Sequence, residues 1–421
     1  MHPVMSEWSG REIVLFSGCH LLNIFKWLSL KDLTRCCFVC KIWKRVSYDS
    51  SLWTRLSLSS FQYHLGEKGL VKLLWDRCRP LLHSLNLSHI PVTPSVFNLL
   101  SKYCRYLKCL VLVNSSFEGF KNRDNFHFPN TLELLNLRHS GESKAFLCIA
   151  KNLQRVKYFA FTNGFLVPIQ DYEKLFRGLT NVTILDVSHS YIVNDDILTH
   201  VAENCLQLTS LSIRHCSNFY GDSLEFLIEK CQQLRSLSII GTGIEDFAFE
   251  RCPWKDSKIE ELDISWCRNI TNAGLNLILP NLTSLRYLRL CSCQFGLAID
   301  ELVMENMRGK HPFLEILDIS YSQAIENVHV INLVKSLPLL KLLRISNCLQ
   351  LNKDLLDSIP HGIEVLSTFS GSNRVVHGAR SYLQLLGSGG NSYLVSPLPE
   401  VPSTERYKMY SFENAMKKYM P

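Results

Sequence analysis

No uncharged apolar run in the 421-residue chain approaches the roughly 18 residues that would predict a membrane-spanning helix. A pattern for export is also missing. The stretch IVLFSGC at 13–19 resembles a lipoprotein cleavage box, but the apolar segment before it is too short for a signal peptide, and Glu12 stands at its start. The sequence therefore predicts no membrane association, and we expect the protein in the cytoplasm, the nucleus or both.

Charge of one sign is not concentrated anywhere along the chain. The 45 basic residues exceed the 38 acidic ones, which gives a net charge of +7, but the lysines and arginines are dispersed. A nucleic-acid-binding surface requires clustered basic residues, so this distribution argues against a nucleic-acid partner. The hydrophobic content of 46% instead supports a large buried core.

A short apolar pattern, L-x-x-L-x-L, recurs along most of the chain, as in LTSLSIRHC at 208–216 and IEELDISWC at 259–267. Successive central residues stand 24 to 29 positions apart, which is the period of leucine-rich repeats. The central residues are Leu85, Leu110, Leu135, Phe159, Leu185, Leu211, Leu237, Leu262, Leu288, Leu317 and Leu343.

Segments between these strands have apolar residues three and four apart, as in DDILTHVAENC at 195–205, which is the spacing of an amphipathic helix. Each unit is thus a strand, a turn and a helix that must stack on its neighbours to bury its apolar face. The predicted fold class is α/β, a leucine-rich-repeat solenoid with a curved parallel sheet inside and helices outside. About 11–12 repeats occupy 59–369, while WTRLSL at 53–58 predicts an additional first strand and IEVLSTF at 363–369 a degraded last one.

Seven of the sixteen cysteines fall into two columns of the repeat. The ninth position of the unit accepts cysteine, serine or threonine, and a metal ligand would not be replaceable by serine. The second column stands six residues before the central leucine and closes the helix. Because cysteine is among the most buried small residues, both columns predict packing. The columns are Cys216, Cys267, Cys293 and Cys348, and Cys104, Cys205 and Cys231.

Histidine recurs at the eighth position, beside the first column. A pair such as His215–Cys216 resembles half of a metal or nucleophile site, but neighbouring units have Gly241 or Asn163 at the same position. We therefore interpret the position as a loop edge of the scaffold. The sequence predicts no catalytic, metal-binding or cofactor-binding residue. The four histidines are His89, His139, His189 and His215.

Residues 16–54 have a different pattern, with two short amphipathic helices. The first has apolar residues at i, i+1, i+4 and i+7 from Leu21. Ser29 and Asp32 predict the N-terminal cap of the second. So short a segment cannot make a self-sufficient core, so these helices should pack on the repeats or on another chain.

This front segment resembles the F-box, the motif through which receptors dock on the Skp-family adaptor of cullin-based ubiquitin ligases. The order and spacing of its apolar residues match, and the V-C-K-x-W core stands at 39–43. The resemblance implies an F-box at 14–58, with a cullin and a RING subunit reached through the adaptor. The implied adaptor-binding residues are Leu21, Leu22, Ile24, Phe25, Leu28, Leu33, Val39, Cys40, Trp43, Leu52 and Trp53.

The two segments together resemble the F-box/leucine-rich-repeat receptors. That resemblance implies a non-catalytic subunit of an SCF-type (SKP–cullin–F-box) ligase, which binds a protein substrate on its repeats and promotes ubiquitination and proteasomal degradation. A ligase or hydrolase using its own cysteine lacks support, because no Cys-x-Asp or paired RING-type spacing is present. A leucine-rich-repeat scaffold or inhibitor without ligase linkage is the alternative, but it leaves the apolar front helices unexplained.

Alternation along each strand places the third, fifth and seventh positions on the inner face of the sheet. The fifth positions of four successive strands alternate in charge at about 4.8 Å spacing, so they can pair laterally or contact a substrate. The third positions form an apolar patch that faces outward and needs a cover. The predicted substrate-binding residues are Tyr287, Ile316 and Leu342, rimmed by Arg289 and Arg344.

The repeat pattern stops near residue 370, which leaves 370–421 as a tail. GSGGNSYLVSPLPEVPSTER at 387–406 is rich in glycine, proline and serine and predicts a linker. SFENAMKKYM at 411–420 predicts a short helix that docks on the chain's own repeats. Over the apolar patch it would act either as a lid or as part of the site. The docking side comprises Phe412, Met416, Tyr419 and Met420.

Overall fold

The structure is a computed structural model of the whole chain. It describes residues 18–61, 65–120, 127–140, 153–162, 169–291, 299–368 and 409–420, except for the side chains of 169–172. The chain forms two structural units. The first comprises residues 1–156 and 416–421, and the second comprises residues 157–415.

Three short helices open the first unit, Gly18–Phe25, Leu30–Cys36 and Lys41–Ser47 (α1–α3). Ser29 is the N-cap of α2, and its hydroxyl oxygen accepts a hydrogen bond from the backbone N–H of Asp32 at 3.2 Å. This bond satisfies one of the free N–H groups of the first turn. The cap predicted from the sequence is therefore present.

The remainder of the first unit is built from repeats. Its strands are parallel and follow chain order, with Leu56 paired to Leu85, Leu85 to Leu110, and Leu110 to Leu135. These central side chains are all buried, because they fill the space between sheet and helices. The strands are Arg55–Ser57, Ser84–Asn86, Cys109–Val111 and Leu134–Leu137 (β1–β4), and the helices between them are Glu67–Leu73 and Pro94–Tyr103 (α4 and α5).

The second unit repeats the same arrangement. Its described strands are parallel, and the central residues pair in register from Phe159 with Leu185 to Leu343 with Val365. The strands are Tyr158–Phe161, Ile184–Asp186, Ser210–Ser212, Ser236–Ser238, Glu261–Asp263, Tyr287–Arg289, Ile316–Asp318, Leu342–Arg344 and Glu364–Leu366 (β5–β13). The helices are Ile169–Arg177, Asp195–Asn204, Leu224–Lys230, Phe247–Glu250, Asn272–Ile278, Glu301–Met307, Asn327–Lys335 and Asp354–Ser358 (α6–α13). The predicted α/β leucine-rich-repeat fold is confirmed.

The turn after each strand explains the recurring histidine. The eighth position of the repeat adopts a left-handed backbone, with φ between 53° and 66° at its non-glycine members. Asparagine, histidine and glycine tolerate this conformation better than most residues. Trp266 and Tyr321 adopt it as well, although large side chains rarely do. The eighth position is thus part of the scaffold, as its sequence pattern predicts.

Several ninth-position side chains tie their turn to the preceding repeat, whereas Thr242 and Ser322 donate within their own repeat. The thiol of Cys216 donates to the carbonyl of Val187 at 3.3 Å, and the thiol of Cys267 donates to that of Ile239 at 3.0 Å. Ser115 donates in the same way. Cys348 does so to Ile319, whereas Cys293 lies outside the described residues. A small donor is therefore what this position requires, which is why serine and cysteine alternate there.

Candidate adaptor-binding helices and inner sheet face

The eleven residues implied as adaptor contacts fall into groups that differ in burial. One group forms the core of the front helices, where the rings of Phe25 and Trp43 meet edge to face with centroids 5.1 Å apart. The indole N–H of Trp53 donates to the carbonyl of Ser47 at 2.8 Å. These side chains pack the three helices together and so fix the positions of the residues on their surface. The fully buried members are Leu21, Phe25, Leu33 and Trp53.

A second group faces the solvent. Ile24 is 48% exposed and Val39 is 54% exposed. Cys40 is also exposed, and its sulfur accepts from the N–H of Trp43 at 3.5 Å as the N-cap of α3. The partly buried members are Leu22, Leu28, Trp43 and Leu52. Only the exposed and partly buried residues are placed to contact another chain directly.

Two larger exposed side chains in the same region are absent from the sequence-derived set. Trp27 is 91% exposed and Phe38 is 89% exposed. Each lies in a turn just after a helix, where the N–H of Trp27 donates to the carbonyl of Ile24 at 3.1 Å and Phe38 donates to Arg35 at 3.0 Å. Helical spacing identifies buried positions, so it passes over apolar residues in turns. Exposed apolar groups of this size indicate a surface that another protein covers.

Arg77 joins the front helices to the first repeat. Its guanidinium lies over the ring of Tyr48 at 3.9 Å and over that of Trp53 at 4.7 Å, and it also donates to the sulfur of Cys37 at 3.7 Å. Cation–π contacts of this kind stabilise more when they are shielded from water, as beside the buried Trp53. The helices therefore pack on the repeats through a specific contact, as the apolar pattern requires.

A row of charges pairs across the inner face of the second unit. Arg289 donates to Asp263 and to Asp318 at 3.2 Å each, and Arg344 lies 3.8 Å from Asp318. Burial alone disfavours the charge of Arg289, but Asp263 and its other neighbours outweigh this effect and hold the pKa of Arg289 well above its usual value. Lateral pairing, one of the two possibilities that the sequence leaves open, is therefore present.

The same aspartates also close the turns that follow their strands. A side-chain oxygen of Asp263 accepts from the N–H of Ser265 at 3.2 Å, and Asp318 accepts from Ser320 at 3.1 Å. Asp186 does the same for Ser188. Each carboxylate thus has one oxygen on the backbone and, in Asp263 and Asp318, the other on arginine. The sequence pattern of charge did not reveal this second role.

The apolar patch on the inner face is closed in the structure. Tyr287, Ile316 and Leu342 form a cluster with Leu366, and all four are buried. The sequence predicts that this patch needs a cover, and its side chains are covered in the folded chain. Leu366 extends it into the last strand, where the degraded repeat hid its register. Substrate contact at these residues stays a prediction.

The C-terminal segment forms a short helix, Phe412–Lys417 (α14), as its apolar spacing predicts. In the second unit, the segment leading to this helix contacts β9. The N–H of Met409 donates to a carboxylate oxygen of Glu261, and the hydroxyl of Tyr410 donates to Glu260 at 3.2 Å. These residues occupy the second and third positions of their repeat.

In the first unit, the end of the segment lies on β2 and β4. The sulfur of Met416 accepts from the amide of Asn136 at 3.4 Å, and the sulfur of Met420 accepts from the hydroxyl of Ser84 at 3.0 Å. The hydroxyl of Tyr419 donates to Glu133 at 2.9 Å. The segment thus docks on the chain's own repeats. Phe412, which belongs to the second unit, is buried, and coverage of the Tyr287 patch by this segment stays a prediction.

Two further properties concern membranes and metals. None of the helices in the described part of the chain has the length and apolar content that crossing a membrane requires. Among the residues that the structure describes, no three histidine, cysteine, aspartate or glutamate side chains gather as a set of metal ligands.

Comparison with known families identifies the front helices. Residues 20–59 match the F-box-like family, so the chain carries an F-box-like domain there. The match covers α1 from its third residue, all of α2, α3 and β1, and the exposed apolar turns. The resemblance drawn from the sequence is confirmed for this segment.

Solved structures with repeat architecture also resemble the chain. The crystal structure of the Rad7 and Elc1 complex in yeast shares 15% identity, with 80% of this chain and 98% of that chain covered and a TM-score of 0.39. An internalin from Listeria monocytogenes shares 17% identity over 73% of this chain and 65% of its own, with a TM-score of 0.33. Internalin C2 from the same species shares 17% identity over 52% and 83%, with a TM-score of 0.36.

Proposed function

We propose that the protein is a non-catalytic substrate receptor of an SCF-type ubiquitin ligase. The F-box-like domain docks a Skp-family adaptor, which links the chain to a cullin and a RING subunit. The repeats bind a protein substrate, whose ubiquitination and proteasomal degradation follow. The domain limits proposed with this function are 14–58 for the F-box, 59–369 for the repeats and 370–421 for the tail.

One observation carries this proposal. Ile24, Trp27, Phe38 and Val39 are apolar and exposed on an F-box-like domain whose own core is already filled by other side chains. Exposed aromatic anchors surrounded by polar residues are typical of binding hot spots. The repeats add a second surface of protein size, since the nine strands of the second unit span about 40 Å at a spacing of about 4.8 Å.

The cellular location proposed with this function is the cytoplasm, the nucleus or both. The described cysteines are free thiols, and a reducing compartment keeps thiols in that state. Burial raises the pKa of the Cys216 thiol to about 12 and that of Cys267 to about 11, so both stay protonated and unreactive near neutral pH.

A matched pair of substitutions tests adaptor docking. Val39→Asp places a charge on the proposed surface, at a side chain that is 54% exposed, while Val328→Asp does the same at a side chain of 50% exposure in α12. The Val39 variant should lose co-purification with a Skp-family adaptor, because a carboxylate would be desolvated at the interface. The Val328 variant should retain it. Equal adaptor recovery with both variants would refute the docking surface and favour the scaffold without ligase linkage.

A further inference from the structure

The inner face of β2–β4 is occupied by the chain's own C-terminus. Ser84 and Asn136, which project from this face, contact the sulfurs of Met420 and Met416. Cys109 lies between their strands, paired in register with Ser84 on one side and Leu134 on the other. Its thiol is fully buried, although it belongs to neither of the packing columns of the repeat.

The contacting side chains share one side of a helical turn. Met416, Tyr419 and Met420 stand at i, i+3 and i+4, and the N–H groups of Tyr419 and Met420 both donate to the carbonyl of Met416 at 3.0 Å. This spacing is the one that aligns side chains on a helix surface. Lys417 and Lys418 are exposed. The inner face of β2–β4, called the seat below, thus contacts two thioethers and one phenol.

The polar groups of the seat match the hydrogen-bonding capacity of two thioethers and a phenol. An amide and a hydroxyl donate to the two sulfurs, and the carboxylate of Glu133 accepts from the phenol. Methionine is flexible and polarizable, so a surface that accepts it accommodates related side chains without repacking. Leucine or phenylalanine in place of Met416 would remove the acceptor of the Asn136 amide, so the seat discriminates by sulfur as well as by shape.

The C-terminal segment that contains α14 has little helical stability of its own. Helix α14 has six residues, and helices much shorter than about 12–15 residues are marginal in water without tertiary contacts. The segment contributes no strand to the sheet, so its release breaks no ladder of the repeat.

We propose that the inner face of β2–β4 is an exchangeable docking site for a helical turn carrying methionine and tyrosine at i, i+3 and i+4. The C-terminus fills this site in the free chain, and a substrate segment of the same chemistry displaces it. The assignment of that external segment to a substrate rests on the proposed function. The exchange itself does not, because it involves neither adaptor nor ubiquitin.

Peptide exchange on the full-length protein tests the site. The probe is a fluorescent peptide with the sequence of residues 411–421, SFENAMKKYMP, added to wild type and to the variant Met416→Ser with Met420→Ser. The variant should bind the peptide at least tenfold more tightly, because its own segment competes less. The matched control, Leu302→Ser with Leu349→Ser, changes two exposed apolar residues outside this segment and should behave as wild type. Equal affinity of wild type and the methionine variant would overturn the proposal.

Alkylation of Cys109 gives an independent measurement. In the methionine variant, the rate of Cys109 modification should rise at least tenfold over wild type, while Cys104 in the packing column stays protected. Exposed Cys40 reports reagent activity in every sample. If Cys104 also reacts, the variant has lost its fold, and Tyr419→Phe takes its place, since it removes the hydroxyl that donates to Glu133 and keeps the ring. That variant should raise Cys109 modification at least threefold, and an unchanged rate would refute the proposal. Exchange that succeeds while adaptor docking fails would remove the ligase role and leave the docking site standing.

Discussion

Replacing Arg289 with methionine should destabilise the second unit by about 3 kcal/mol. The guanidinium bridges Asp263 and Asp318, whose side chains are 2% and 0% exposed, and it is itself 12% exposed. Removing one partner of a buried ion pair typically costs about 3–5 kcal/mol, because a carboxylate stays desolvated without its counter-charge. The lower end applies here, since Arg344 remains 3.8 Å from Asp318 and the arginine retains some contact with water.

Urea denaturation followed by circular dichroism measures this loss. Arg308→Met is the matched control, because Arg308 pairs with Glu305 on the surface at 46% and 59% exposure, and it should change stability by less than about 0.5 kcal/mol. Adding Asp263→Asn to Arg289→Met removes a buried charge that faced the guanidinium and should recover part of the loss, while Asp318 keeps its pair with Arg344. A free energy of unfolding for Arg289→Met within about 1 kcal/mol of wild type would refute the reasoning.

Three further outcomes follow from buried groups. Burial lowers the pKa of His311 from its ordinary 6.5 to about 4. The free energy of unfolding should therefore fall by up to about 3 kcal/mol as the pH drops from 6.5 to 4. In His311→Gln, the urea midpoint should decline less over the same pH range. Parallel pH profiles of the two proteins would contradict this. Arg77→Met should destabilise the first unit by about 1–2 kcal/mol in thermal unfolding. Arg79→Met is the control and should cost less, because its partner Trp75 is solvent-exposed. Equal effects of the two substitutions would argue against the contact with Trp53. The ninth-position thiols of Cys216, Cys267 and Cys348 should resist alkylation at pH 8, and the protein should copurify with no zinc. Stoichiometric metal found by elemental analysis would overturn their packing role.

The candidate site was accessible from the sequence only in part. The F-box-like segment follows from the order and spacing of apolar residues, because these positions are fixed by the helix period. The same period favours buried residues, so it selected Leu21 and Phe25 and passed over Trp27 and Phe38, which are the most exposed apolar side chains of the domain. Contact residues in a turn follow no sequence period, so only their position in the folded structure identifies them.

On the inner face, strand alternation correctly placed Arg289 and Tyr287 on one side of the sheet. The alternation did not predict the contacts or the burial of these two side chains. The guanidinium is engaged by two carboxylates, and the tyrosine lies in a buried apolar cluster that extends to Leu366. Alternation tells which side of a strand a residue projects from, whereas burial depends on what else in the chain reaches that side.

The sequence alone determined the repeat, the register and the role of the cysteine columns. A central leucine every 24 to 29 residues can be buried in only one way, by stacking strand on strand, so local pattern and global fold coincide. The tertiary structure alone decided where the C-terminus lies. Asn136 and Met416 are 280 residues apart, and no period connects them. Their contact depends on the shape that the stacked repeats present, which exists only once the chain has folded.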